Sequence, residues 1–180
     1  MKYPIEITDR EELLCYLPKN GIVAELGVFM GEYSNSIFEY STPSHLYLVD
    51  LWEDAVPPWP NKDSSRLCHK VVSLIFKDNP KVTVVKEDAV KFLQEKPDRF
   101  FDWVYIDLDH TYEGTKEILE LSESKVKSEG FIAGHDYTAN ESFGVIQAVD
   151  EFCIKRNWTI KYLTTEQHKY FSYILSKGTT

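Results

Sequence analysis

Ile22-Val23-Ala24-Glu25-Leu26-Gly27-Val28-Phe29-Met30-Gly31 joins a short apolar run to an amphipathic one through two glycines. An apolar run of this length bounded by turn residues reads as a buried strand, and residues 33–40 read as the helix that follows it. Upstream, Thr8-Asp9-Arg10-Glu11 is a capping-box pattern opening a short helix with Leu13, Leu14 and Leu17 on its core face. Pro18 and Asn20-Gly21 end that helix. Downstream the strand-helix unit recurs. Leu46-Tyr47-Leu48-Val49 is a second strand ending at Asp50, and Val82-Thr83-Val84-Val85 is a third. Asp102-Trp103-Val104-Tyr105-Ile106 is a fourth ending at Asp107, and Phe131-Ile132-Ala133 a fifth ending near His135-Asp136.

The intervening segments carry helical spacing. From Asp63 onward, Leu67, Val71, Leu74 and Ile75 form one apolar stripe; residues 89–94 and about 113–127 give two more helices, the second broken by Gly130. Val145, Val149, Phe152 and Cys153 mark a last helix. Residues 51–62, with Trp52, Trp59, Pro57, Pro58 and Pro60, read as an irregular loop. Residues 159–164 and 170–175 form a hairpin around Glu166-Gln167-His168. Five β/α units closed by an antiparallel hairpin predict a Rossmann-like, doubly wound α/β sheet of seven strands, in one domain spanning residues 1–180.

Composition narrows the partners. The 180 residues are 43% hydrophobic and 27% charged, an ordinary globular mixture, and the net charge of −9 disfavours nucleic acid. Lys77, Lys81, Lys86 and Lys91 are scattered and read as solvated faces, which leaves a small molecule as the expected substrate. No apolar run is long enough to span a membrane, and Met1-Lys2-Tyr3-Pro4 lacks the apolar core of a secretory signal, so a cytoplasmic protein is expected. Cys15, Cys68 and Cys153 have no metal-type spacing and read as buried thiols.

In open α/β sheets, ligands sit beyond the carboxyl ends of the strands. Those ends here are Glu25, Asp50, Glu87-Asp88, Asp107 and His135-Asp136, all polar. The G-x-x-x-G turn lacks the spacing that holds a pyrophosphate, and an acid just before it favours a ligand with positive charge, such as S-adenosylmethionine with its sulfonium and ammonium. Asp50 is placed to accept from ribose hydroxyls or to cap the turn after it; Asp88 is placed near an adenine edge or as a helix N-cap. Asp107, Asp109 and His110 fall within four positions of one another at one strand end. With His135 and Asp136 they offer a cation site and a base titrating near neutrality.

Three stretches resemble the signatures of class I methyltransferases related to macrocin and macrolide sugar O-methyltransferases and to cephalosporin-hydroxylase-type proteins. They are residues 25–31, Tyr105-Ile106-Asp107-Leu108-Asp109-His110-Thr111-Tyr112-Glu113-Gly114, and Gly130-Phe131-Ile132-Ala133-Gly134-His135-Asp136-Tyr137. The resemblance implies that Glu25, Gly27, Gly31 and Asp50 hold the methionine and ribose parts of the cofactor, and Asp88 and Ala89 the adenine. It implies Asp107 and Asp136 as carboxylates for Mg²⁺ and His110 as general base. Where this chain has His135-Asp136 the family commonly has two acids, and an imidazole suits Mn²⁺ or a transition metal better than Mg²⁺.

Methyl transfer to a hydroxyl gains from alignment and from a base or chelated cation, with Asp107 or Asp109 expected to orient His110. The loop from Trp52 to Pro60, with Phe29 and Tyr137, reads equally as an aromatic lid or as aromatics that cover the core or make dimer contacts, and the acceptor pocket is either open or completed by the second subunit of a homodimer. Two other classes stay open: a module that binds the cofactor without catalysis, and a nicotinamide-dependent oxidoreductase. The Asp107-to-His110 cluster argues against the first, the glycine spacing and Glu25 against the second.

Overall fold

The computed structural model of the chain describes residues 3–52, 62–140, 142–166 and 170–178. Its strands are β1 (Ile5–Ile7), β2 (Ile22–Leu26), β3 (His45–Asp50), β4 (Val82–Lys86), β5 (Phe101–Ile106), β6 (Val126–Tyr137), β7 (Trp158–Thr164) and β8 (Phe171–Lys177). Its helices are α1 (Arg10–Leu13), α2 (Glu32–Ser41), α3 (Lys62–Ile75), α4 (Ala89–Glu95), α5 (Tyr112–Lys125) and α6 (Val145–Arg156). The sheet order is β1-β7-β8-β6-β5-β2-β3-β4. From β2 the chain steps outward through β3 to β4, then returns to lay β5 against the other side of β2. That reversal leaves a crevice at the carboxyl ends of β2 and β5. β8 alone runs antiparallel to its neighbours β6 and β7, so the expected α/β class and reversed final strand are both present.

Alternation along the strands feeds two cores. On β5, Phe101, Val104 and Ile106 join Phe92, Ile118 and Phe152 from α4, α5 and α6. Trp103 and Tyr105 face the other way, to Leu13, Ile37 and Val72 from α1, α2 and α3. The sheet is thus covered on both faces, as a parallel sheet requires.

Five expectations need correction. β1 is a strand the sequence did not announce: it has three residues, Ile5 and Glu6 are exposed, and periodicity has nothing to register. It pairs parallel with β7 at the sheet edge, from Ile5 opposite Tyr162 to Ile7 opposite Thr164. The capping box sits one residue later than Thr8-Glu11: Asp9 accepts from the Glu12 N–H at 2.8 Å, and Glu12 accepts from the Thr8 N–H at 2.8 Å. Among the described side chains of α3, Cys68 and Val72 are buried, followed by Phe76, while Leu67, Leu74 and Ile75 are exposed. Both sets have helical spacing, and the packing of Val72 against Gly31 selects the first. Cys68 is buried as expected, but Cys15 is exposed and Cys153 only half-buried.

β6 also extends beyond the expected three residues, and Gly130 does not interrupt it. Val126 pairs with Phe101, the register shifts, and pairing resumes with Phe131 opposite Trp103.

Gly27 has φ +92° and Gly31 φ +79°, the left-handed region that glycine enters at least cost. A Cβ on Gly27 would lie 1.8 Å from the Asp107 carbonyl oxygen, whereas one on Gly31 would first meet Val72 Cγ2 at 3.1 Å. Gly27→Ala therefore demands separation of β2 from β5 and should cost about 3 kcal/mol or more, against about 1–2 kcal/mol for Gly31→Ala. Urea unfolding measures both; equal and small losses would contradict the packing described.

Candidate cofactor and catalytic site

The glycine turn is fastened from three sides. The Gly27 N–H donates to Val49 O at 2.9 Å, the Asp107 N–H to Leu26 O at 2.8 Å, and the Gly31 N–H closes the turn on Val28 O at 2.9 Å. Asp50, at the end of β3, accepts from the Val28 N–H (2.8 Å) and Phe29 N–H (2.9 Å) through Oδ2, and from the Trp52 N–H (2.8 Å) through Oδ1. Three bonds occupy most of the roughly four acceptor directions of a carboxylate. Asp50 is therefore first a brace for this turn, with about one direction left for a ligand.

Glu25 lies beneath the turn. It is 2% exposed and accepts a hydrogen bond from the Ser34 hydroxyl in the first turn of α2. Burial pushes its carboxyl well above the ordinary carboxylate range, against the pull of the Ser34 bond. Glu25 thus ties β2 to α2 from below and does not stand on the open rim. Trp52 is buried, donates through Nε1 to Phe29 O at 2.9 Å and packs against the His69 ring. It fastens the turn and is not a lid. Tyr137 is also engaged, its hydroxyl donating to Asp150 at 2.8 Å, while Phe29 is exposed. Trp59, Pro57, Pro58 and Pro60 fall outside the described residues.

At the end of β4, Asp88 is the N-cap of α4 and accepts from the Lys91 N–H at 2.9 Å. Ala89 is buried in the core, and Glu87 pairs with the Lys91 ammonium. The Glu87 N–H donates to Asp50 O at 3.1 Å, so the expected ribose and adenine ends of the site adjoin.

The residues with acid–base chemistry gather at the ends of β5 and β6. His110 Nε2 lies 2.7 Å from Asp136 Oδ2, and the ring stacks on Phe143 with centroids 4.5 Å apart and planes 11° from parallel. His135 Nδ1 lies 3.3 Å from Asp136 Oδ2 and 3.8 Å from Asp107 Oδ1. Asp136 has φ +60°, a strained backbone that a side chain pays into only where its surroundings fix it. Burial works against its charge, yet the two histidines hold its carboxyl well below the ordinary range. Burial pushes Asp107 the other way, upward, against the attraction of His135. The hydrogen bond to Asp136 raises His110 above an ordinary histidine despite its partial burial. Burial opposes charge on His135 as well, but Asp136 and Asp107 raise it.

Asp136 is therefore the orienting partner of His110, in place of Asp107 or Asp109. Asp109 is turned into its own loop, accepting from the Thr111 N–H (2.9 Å) and hydroxyl (2.7 Å), while Thr111 caps α5 by accepting from Gly114 N–H. Sequence reasoning also missed Phe143, which carries no local signal. Asp107, His110 and Asp136 each offer one ligand atom, all within 4.8 Å of one another. Two carboxylates and an imidazole are a mixed donor set, better matched to Mn²⁺ or a similar ion than to Mg²⁺.

A family model described as "Methyltransferase domain" matches residues 24–137, from β2 to the end of β6 and more than half of the chain. No curated relative matches in sequence. Among solved structures the chain is similar to the Escherichia coli protein yhhF, named provisionally as a methyltransferase (TM-score 0.65, 12% identity, 96% of this chain and 89% of that one). It is also similar to the B. subtilis M1A22 tRNA methyltransferase TrmK (TM-score 0.63, 12% identity, 96% and 67%) and to spermidine synthase from Thermotoga maritima (TM-score 0.62, 15% identity, 92% and 57%). At such identities the structural likeness speaks for the fold. Family match and fold agree, and the chain belongs to the methyltransferase-domain family as a class I S-adenosylmethionine-dependent methyltransferase.

Proposed function

We propose that the chain methylates a hydroxyl oxygen on a small molecule, as its resemblance to the macrocin-type O-methyltransferases implies. The observation that carries this reading is the His110–Asp136 pair, at 2.7 Å, standing beside Asp107 at the strand ends. The glycine turn from Gly27 to Gly31 would receive the methionyl group, the free acceptor direction of Asp50 the ribose, and the backbone at Asp88-Ala89 the adenine.

In the transfer, a lone pair on the acceptor oxygen attacks the methyl carbon in line with sulfur. The carbon–sulfur pair returns to sulfur, and the acceptor proton must leave. His110 Nε2 faces Asp136, so the neutral ring donates there and keeps its lone pair on Nδ1. Nδ1 is the atom that takes the proton, and Asp136 balances the imidazolium that results. If Mn²⁺ or Mg²⁺ binds, Asp107, Asp136 and His110 would hold it, and the ion would lower the pKa of a bound hydroxyl.

A small acceptor is favoured by the net charge of −9, which repels a phosphate backbone, although the tRNA methyltransferase neighbour shares the sheet. The free thiols Cys15, Cys68 and Cys153 fit a reducing cytoplasm. No helix among the described residues is long and apolar enough to cross a membrane.

His110→Ala should keep affinity for S-adenosylhomocysteine within about twofold and slow methyl transfer by about 10²–10⁴-fold. Assay against a panel of hydroxylated small molecules, with calorimetry in parallel, measures both. Unchanged turnover would remove His110 from the mechanism, and chelator-sensitive turnover restored by Mn²⁺ would make it a ligand instead.

The pH dependence has a defined sign. Because Asp136 raises His110 above 6.5, metal-free transfer should rise with pH through an inflection above that value, and Asp136→Asn should move the inflection down. The charged pair stabilises the fold most below 6.5, and that contribution fades as pH climbs through the raised value. NMR titration of the His110 ring checks the direction; a value below 6.5 would contradict it.

A further inference from the structure

Arg10 begins α1, and the segment that carries it is held at both ends. β1 docks on the sheet edge, where the Thr165 N–H donates to Ile7 O at 2.9 Å. The Arg10 N–H donates to Glu166 Oε1 at 2.8 Å, and the Tyr33 hydroxyl donates to Arg10 O at 2.9 Å. The guanidinium then lies over the Tyr33 ring, with Cζ 4.5 Å from its centroid. Tyr33 follows Gly31 by two residues, and its ring sits 4.5 Å from that of Tyr105, two residues before Asp107. This stack sets an arginine beside the mouth between the ends of β2 and β5.

Among the described residues the guanidinium has no fixed anion. Its side chain is 29% exposed, and its closest carboxylate oxygen among the described residues is on Glu11, 3.9 Å from Nε and beyond hydrogen-bond range. No hydrogen bond among the described residues uses its five donors. Its charge nevertheless reaches the site, where it draws down the carboxyls of Glu25 and Asp107 against their burial.

The chemistry of the methyl donor asks for such a group. Its methionyl end is a zwitterion, and a rim of Asp50, Asp107 and Asp136 welcomes the ammonium and sulfonium but repels the α-carboxylate. A carboxylate seated there needs a permanent cation, and the planar fork of an arginine matches its two oxygens. We propose that Arg10 anchors the α-carboxylate of the donor's methionyl group and so makes the site selective for donors that retain it. The proposal rests on the placement of the methionyl group at the Gly27–Gly31 turn.

Calorimetry with two ligands tests it: S-adenosylhomocysteine and its decarboxylated analogue, each with wild type and with Arg10→Gln, which removes the charge and keeps a polar side chain. Wild type should bind S-adenosylhomocysteine about 10–100-fold more tightly than the analogue, as expected for a charge-assisted pair. Arg10→Gln should erase that preference, leaving affinity for the analogue within about twofold. Equal wild-type affinities would overturn the proposal, as would an Arg10→Gln loss equal for both ligands. If wild type bound neither ligand, the methionyl placement itself would fall, and the anchor with it.

Discussion

The site depends on one close approach. The backbone of Gly27 runs so near the Asp107 carbonyl that there is no room for a side chain between the ends of β2 and β5. This is where the strand order reverses, so the contact fixes the two edges of the crevice relative to each other. The remaining bonds hold that arrangement. Asp50 pins the turn from β3, Glu25 and Ser34 tie it to α2 from beneath, and Trp52 closes over it from the far side. A turn held by this many bonds is organised before any ligand arrives, so binding need not carry the cost of ordering it.

Around that turn, carboxylates alike in sequence have been given unlike environments. Glu25 is buried and pushed toward its neutral form, while Asp136 is held ionised between two histidines. Asp50 spends most of its accepting capacity on three backbone N–H groups, and Asp88 accepts from the Lys91 N–H as the cap of α4. Negative charge available to a ligand is therefore concentrated at the ends of β5 and β6, beside the histidines, and not spread evenly along the rim. That is where a cationic sulfur and a proton acceptor are needed together.

How much of this was legible in the sequence follows from which forces act locally. Strands β2 to β5 were readable because buried parallel strands are short apolar runs, and their polar ends located the crevice without coordinates. Gly27 and Gly31 were visible as a strand-to-helix turn, but the packing of Gly27 on the Asp107 backbone is a tertiary contact that sequence does not carry. What sequence could not show was direction. Asp109 and Asp136 both lie near His110 in plausible chemistry, and only the turn geometry of Asp109-Thr111 spends one and frees the other. The α3 face was ambiguous because two apolar stripes shared its period, and Val72 was chosen by a tertiary contact with Gly31. β1 and Arg10 were invisible for a related reason: a three-residue edge strand has no periodicity, and an arginine after a cap looks like any solvated residue.

The claim on which the account turns is that the methyl donor lies across the carboxyl ends of β2, β3 and β4. A crystal structure of the chain with bound S-adenosylhomocysteine tests it most directly. The sulfur should lie between the Gly27 turn and Asp107, the ribose beside Asp50 and the adenine against Asp88-Ala89. Density for the ligand elsewhere, for instance in the depression between α5 and α6 lined by Tyr112, Lys116 and Glu151, with the turn still closed, would contradict it.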